Sequence, residues 1–290
     1  MKSTWVTPEK IGIIGYGIVG QALSYGFSEN GLKDKYKILF YDKYKKSSSL
    51  NEVVKNSEFI FLCLPTPMKS DESGIDLSII EEIVSGITPF TNNTEKIIII
   101  KSTVIPETTI NFEKKYPKSK FAFNPEFLTE ANYLEDFVNA DRTIIGASND
   151  LVSRRIVSLY KQRFPKTRIF QTDPTSAEMV KYMANTYLAL KVAFANQIYD
   201  LCQKLDIHYE EIMKMVVADK RIEEFGFYVT TERGFGQKCF PKDTVAILEL
   251  AKKLGADLTI LKEAWEYNKK IRKTHDWEEI PFAVSKKKKS

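Results

Sequence analysis

The apolar run Ile11-Gly12-Ile13-Ile14, followed without pause by Gly15-Tyr16-Gly17-Ile18-Val19-Gly20, constrains the fold of this chain more than any other feature. With this run, residues 10–15 read as a strand. Residues 18–28 then carry apolar side chains at helical spacing. A strand that turns through three glycines into a helix is the context a dinucleotide fingerprint requires. The first glycine permits the tight turn, the second lets backbone approach a pyrophosphate, and the third lets helix and strand pack closely. A glycine turn in an α/β core without any ligand is the plainer alternative.

A second strand over residues 37–41 ends at Asp42, where a carboxylate can accept both hydroxyls of a ribose. Asp42 would repel a 2′-phosphate, so NAD is expected rather than NADP. Lys43, Lys45 and Lys46 pull the other way unless they are only a solvated charge run. Residues 58–64 and 96–100 are two more strands, too apolar for a sheet edge. Between them, residues 76–87 open on an aspartate cap and repeat at helical spacing. Further strands are expected near 121–123, 142–146 and 167–170. Strand and helix in turn predict a parallel, doubly wound, Rossmann-like α/β domain over residues 1–174.

The pattern changes at Asp173-Pro174. Thr175-Ser176-Ala177-Glu178 reads as a capping box opening a helix of about 30 residues, about 45 Å long. Its face carries Met183, Tyr187, Leu190, Phe194 and Ile198, more apolar surface than a two-layer monomer hides. Shorter helices follow near 209–217, 243–254 and 259–272, with a loop over 218–241. An all-α unit over 175–273 is therefore expected, and 274–290 is expected to be a disordered tail.

Lys286 to Lys289, at the extreme C-terminus, supply four of the five net positive charges. The remaining body is nearly neutral, so no nucleic-acid partner is expected. No apolar run reaches the length of a membrane span and the first residues are no signal peptide, so no membrane association is expected. Cys63, Cys202 and Cys239 form no CxxC pair, which argues against a zinc site or disulfide framework and for a reduced cytoplasmic setting.

Cys239 stands in Gly234-Phe235-Gly236-Gln237-Lys238-Cys239-Phe240-Pro241-Lys242-Asp243, flanked by glycines and by two lysines. The thiolate is the reactive form, and neighbouring cations favour it. A nucleophilic cysteine beside a nicotinamide site suggests oxidation past the aldehyde, because a thiohemiacetal gives up a second hydride that a free aldehyde does not. Lys181 and Asn185 share a face of the long helix and can hold an oxyanion together; equally, they read as a solvated lysine and a polar helix position. Thr103 follows a buried strand at the sheet edge where ligands bind, or else caps the next helix. Glu126 and Glu130 follow Asn124-Pro125, as loop carboxylates near that edge or as surface charges. Cys63 and Cys202 have apolar neighbours and read as core residues.

Taken in order, these motifs resemble the UDP-glucose/GDP-mannose dehydrogenase family. The likeness runs through the glycine fingerprint, Leu64-Pro65-Thr66-Pro67, Asp76-Leu77-Ser78, Lys101-Ser102-Thr103-Val104 and Asn124-Pro125-Glu126-Phe127-Leu128. It continues through Ala177-Glu178 with Lys181 and Asn185, Asp219-Lys220-Arg221-Ile222, and the run ending at Asp243. The resemblance implies an NAD-dependent, twofold oxidation of a nucleotide sugar's primary alcohol to a uronic acid, with a UDP-sugar the expected substrate. Cys239 would carry the thiohemiacetal and thioester, and Lys181 and Asn185 would hold the oxyanion. Thr103, Glu130 and Asp243 would place or activate water, supported by Glu126. Pro65, Thr66 and Thr103 would join Gly15, Gly17, Ile18, Val19, Gly20 and Asp42 on the cofactor. Gly234 and Gly236 would curl around substrate, Arg221 would reach a substrate across a dimer interface, and the long helix would form a homodimer.

Two departures stand out. Gln237 occupies a position where the family usually has glycine. Family members also continue into a second Rossmann-like domain over the nucleotide, which residues 281–290 cannot form. A β-hydroxyacid-type dehydrogenase shares the lysine and asparagine spacing but has no use for Cys239. A non-catalytic NAD-binding subunit is a further reading, against which the intact set of reactive residues argues.

Overall fold

A computed structural model describes residues 9–28 and 35–285; the C-terminal residues 286–290, with their four lysines, lie outside the described residues. Chain order runs β1 (Glu9–Ile14), α1 (Ile18–Ser28), β2 (Tyr36–Tyr41), α2 (Leu50–Lys55), β3 (Phe59–Leu62), α3 (Ser78–Thr91), β4 (Ile97–Ile100) and α4 (Thr108–Lys115). It continues through β5 (Lys120–Phe123), α5 (Tyr133–Val138), β6 (Arg142–Gly146), α6 (Asp150–Arg163), β7 (Arg168–Thr172), α7 (Pro174–Lys204), α8 (Tyr209–Val217), α9 (Cys239–Leu254) and α10 (Thr259–Ile271). The chain forms two compact units, residues 1–66 with 77–181 and residues 67–76 with 182–290. The division therefore falls inside α7 rather than at residue 174.

Within the first unit the strands form one sheet in the order β2-β1-β3-β4-β5-β6-β7. Neighbours are parallel, except that β6 runs antiparallel to β5 where Phe123 meets Gly146. Alternate residues of the central strands face opposite ways. Ile11, Ile13, Phe59, Phe61, Ile97 and Ile99 pack with α1, α5 and α6 through Leu23, Phe27, Phe137 and Ile156. Ile14, Ile60, Leu62, Ile98, Ile100 and Phe123 pack with α2, α3 and α4 through Val53, Val54, Ile80, Val84 and Phe112. Helices thus cover both faces, which is the doubly wound arrangement. In register, Ile14 pairs with Leu62, Leu62 with Ile100, and Ile100 with Phe123. The loops after β1, β3, β4 and β5 consequently leave from one edge, where ligands bind in such sheets.

The second unit has its own core, in which Met68, Ala189, Ala193, Phe235, Val245, Trp265, Trp277 and Ala283 are buried together. Residues 274–285 are not the disordered tail expected where the helical pattern fades. Trp277 is buried beside Trp265, and Met68 exchanges backbone hydrogen bonds with Ala283 and Ser285 at 2.8 and 2.7 Å. Loss of helical periodicity marked the end of helix, but a buried tryptophan anchors chain without it.

Two further expectations change. The first turn of α7 is capped by Asp173, whose Oδ1 accepts the Ser176 N–H at 2.9 Å, and Pro174 opens the helix, where a missing N–H loses no bond. Glu178 plays no capping-box part. Likewise α9 begins at Cys239, not Asp243, because Pro241 falls in the first turn, where proline is tolerated.

Candidate active site

In the first unit, Gly15 has φ +93°, and a Cβ there would collide with the Cys63 carbonyl. Gly20 packs on the Gly15 carbonyl. Gly17 differs: a Cβ there would meet nothing within 4 Å. Protein packing does not explain that glycine, whereas close approach of a ligand to the backbone does. Ile18 and Val19 follow in the first turn of α1, whose N–H groups have no intrahelical acceptor and suit a pyrophosphate. Asp42 accepts the Tyr16 N–H at 2.8 Å on Oδ2 and the Tyr44 N–H at 2.9 Å on Oδ1. Each oxygen keeps a second lone pair, enough for two ribose hydroxyls. Lys45 donates to the Tyr16 carbonyl at 2.7 Å. These residues fit a dinucleotide.

The loops beyond are tied together. Thr66 Oγ1 donates to the Thr103 carbonyl at 2.8 Å, and the Leu64 N–H donates to Ser102 Oγ at 2.8 Å. Pro65 and Thr103 are half-buried beside these bonds. Lys101 is buried and donates to Asn124 Oδ1 at 3.0 Å, an oxygen that also accepts the Tyr160 hydroxyl at 2.6 Å. Burial pulls the Lys101 ammonium down to about 8, against the fields of Cys63 and Glu126. Burial also pushes the Cys63 thiol up to about 12, so this cysteine is no nucleophile.

Lys181, 3% exposed, donates to Glu126 Oε1 at 3.0 Å and to the Glu126 carbonyl at 2.7 Å. Burial pushes the Glu126 carboxyl up, but the Lys181 ammonium and the Leu128 N–H outweigh it and hold it below its ordinary range. Glu130 lies exposed in a turn and is not drawn into this pair. One turn before Lys181, the buried Glu178 reaches the start of α4. Its Oε2 accepts the Glu107 N–H at 2.7 Å, and its Oε1 accepts the Thr109 N–H and hydroxyl at 2.9 and 2.6 Å.

In the second unit, Cys239 is the first residue of α9, and Asp243 follows one turn later on the same face. The positive end of a helix favours an anionic sulfur at such a place. Asp243 is buried; its Oδ2 accepts the Asn185 amide at 2.6 Å and its Oδ1 accepts the Lys242 ammonium. Cys202 is buried with Tyr209 and Met213, as a core residue should be.

The glycine loop before Cys239 is held from behind. Asn268 mirrors a peptide group, accepting the Phe235 N–H at 2.7 Å and donating to its carbonyl at 2.9 Å. A Cβ on Gly234 would strike Asn268, and one on Gly236 would strike the Arg272 guanidinium. Gln237 has φ +60°, a conformation that suits glycine, and its N–H donates to Asp276 at 3.0 Å. Arg221 is exposed and paired with Asp219 at 2.5 Å, apart from this group. Among the described residues no cluster of ligands suits a metal ion, and no helix is long and apolar enough to cross a membrane.

Sequence reasoning missed Asn268, Arg272 and Asp276 behind the loop, and Lys101, Asn124 and Tyr160 beneath the Glu126 turn. The first three sit on an ordinary amphipathic helix and just after it, with no local signal. Lys101, a cation directly after four isoleucines, was the visible clue.

Comparison with known proteins matches residues 22–164 to the profile of the UDP-glucose/GDP-mannose dehydrogenase family, NAD binding domain. Residues 175–270 match the central domain of the same family. A UDP-glucose 6-dehydrogenase of Rickettsia bellii is 35% identical over 81% of this chain and 55% of its own length. One from Campylobacter jejuni is 31% identical over 82% of this chain and 67% of its own. The solved UDP-glucose dehydrogenase from Pyrobaculum islandicum superposes with a TM-score of 0.82 at 26% identity, covering 93% of this chain and 70% of that one. The chain spans about half the length of the Rickettsia relatives it matches.

Proposed function

The chain belongs to the UDP-glucose/GDP-mannose dehydrogenase family and carries its NAD binding and central domains, and from that premise we propose that it is an NAD-dependent nucleotide-sugar 6-dehydrogenase. UDP-glucose, oxidised to UDP-glucuronate, is the favoured substrate. The observation that supports this most is the grouping of Cys239, Asp243, Lys242 and Asn185 at the head of α9. A helix start with a thiol, a buried carboxylate one turn on, and an amide bonded to that carboxylate suits covalent acyl chemistry. A β-hydroxyacid-type oxidation would have no use for it.

When bound, NAD supplies the hydride acceptor, and two equivalents are needed for each sugar. Gly15, Gly17 and the first turn of α1 hold the pyrophosphate, Asp42 holds the ribose, and Pro65, Thr66 and Thr103 line the loops beside it. Cys239 forms a C–S bond to the aldehyde carbon, and the carbonyl oxygen becomes an oxyanion. Lys181 and Asn185, one turn apart on α7, donate to that oxygen. At the thioester stage, Asp243 takes a proton from water as the water oxygen attacks the acyl carbon. The C–S bond then breaks and the sulfur leaves as thiolate. Glu126 orients Lys181, and Thr103 and Glu130 help place the water.

The protein is further proposed to work in the cytoplasm as a homodimer formed along α7, with Arg221 reaching across the interface and no nucleic acid as partner. Met183, Tyr187 and Phe194 are 72, 59 and 55% exposed on that helix, which supports the assembly. The decisive experiment counts NADH formed per sugar with UDP-glucose, GDP-mannose and related sugar nucleotides. Two NADH per uronic acid is the expected result; one NADH, or no turnover at all, overturns the proposal.

A further inference from the structure

We infer that Glu178 is a positioning residue that fixes the loop carrying Thr103 to the same helix that carries Lys181. The inference rests on the functional reading above for its kinetic consequence, though not for its structural one. Glu178 is fully buried, and its three acceptances all fall on Glu107 and Thr109. Those N–H groups open α4, where no intrahelical partner exists. Glu107 also has φ +79°, an unfavourable conformation for glutamate, and the Glu178 carboxylate bonds its N–H there.

The segment from Thr103 to Thr109 is thereby fixed at both ends. Thr66 holds the Thr103 carbonyl, and Glu178 holds Glu107 and Thr109. Three residues after Glu178 on α7, Lys181 grips the Glu126 turn by two further bonds. One helix therefore sets the loop after β4 and the loop after β5 in a common register. A cap serving α4 alone needs only a short local side chain, such as serine or aspartate just before the helix. A carboxylate brought from a different part of the chain into a buried site carries a desolvation penalty, evident in its proton being held up to about pH 7. That penalty is intelligible if the bond's purpose is registration.

The test uses the full chain with Glu178→Gln, which replaces one acceptor by an NH2 group facing a backbone N–H. Expected are at least tenfold faster hydrogen exchange over residues 103–109, a kcat about tenfold lower, and an NAD Kd within threefold of the parent. Thr109→Val, which removes only the hydroxyl donor, should give a smaller change of the same kind and serves if the glutamine variant does not fold. Unchanged exchange in both variants overturns the inference. So does faster exchange with full kcat. If the parent protein oxidises no sugar nucleotide, the functional reading fails, and the exchange rates alone decide whether Glu178 holds the loop.

Discussion

Asn185 Nδ2 stands 2.6 Å from Asp243 Oδ2, and the opposite carboxylate oxygen takes the Lys242 ammonium. Each oxygen of this buried group is thus engaged by a nitrogen donor that fixes its direction. What remains is one lone pair on each, in a plane set by its neighbours. A carboxylate so constrained is suited to receive a proton within that plane.

Replacing Asp243 by asparagine puts an NH2 group against the Asn185 donor and removes the acceptor. Acid formation should fall at least a hundredfold, with an adduct on Cys239 trapped by mass spectrometry. Stability should drop by roughly 1–3 kcal/mol from the unsatisfied buried donor. Cys239→Ala and Cys239→Ser should also lose acid formation while keeping NAD affinity. Full activity per folded molecule in Cys239→Ala would falsify the covalent route.

The fingerprint glycines separate folding from binding. Gly17→Ala should leave Tm within about a degree, since the added Cβ meets nothing, yet weaken NAD binding by tenfold or more. Gly15→Ala should lower Tm, because the side chain collides with the Cys63 carbonyl at a positive φ. Calorimetry and thermal melts on both variants check this. Equal NAD affinity in parent and Gly17→Ala would remove the cofactor assignment.

Glu178 gives stability a pH dependence of definite sign. Burial, opposed by the Thr109 and Glu107 donors and aided by Asp173, raises its carboxyl to about 7, from an unperturbed value of 4.5. Between these values the folded state holds a proton that the unfolded state has released. The contribution is therefore complete below pH 4.5 and lost as pH rises through 7, amounting to a few kcal/mol. Denaturant melts from pH 4.5 to 8 should show a decline in the parent that Glu178→Gln flattens; parallel curves would contradict this.

Gln237 holds a left-handed backbone without being glycine. Gln237→Gly should stabilise the second unit by about 0.5–1 kcal/mol, strain relief slightly exceeding the extra entropy of the unfolded chain. Gly236→Ala, whose Cβ would lie 2.3 Å from the Arg272 guanidinium, should destabilise it. Tryptophan-monitored urea melts distinguish the two directions.

Along α7, Met183→Lys combined with Phe194→Glu places charge on the exposed apolar face. Sedimentation should find the parent as a dimer and the double variant as a monomer at micromolar concentration. A monomeric parent protein disposes of the proposed assembly.

Much of this was legible because periodicity and packing share a cause. Ile97–Ile100 reads as a buried strand because nothing polar interrupts it, and all four residues are buried. The α7 pattern likewise gave its length nearly to the residue. What escaped depends on partners distant in sequence. Thr175 to Glu178 satisfies a local capping rule, but Glu178 finds better donors at Glu107 and Thr109. Trp277 follows a stretch with no helical rhythm, so only its contact with Trp265 reveals that it is core. Asn268 looks like any polar helix residue until Phe235 is set against it.

The second unit draws on two separate stretches of chain, and this decides how the protein can be dissected. Met68 and Ile75 are buried in the body that otherwise begins at Tyr182. A gene fragment starting at residue 182 would lack the strand-like partner of Ala283 and Ser285 and would bare the apolar surface that Met68 covers. A fragment stopping at residue 181 would retain 67–76 as an orphaned excursion. Clean separation calls for rewiring: splicing 66 to 77 with a short linker in one product, and tethering 67–76 to the other.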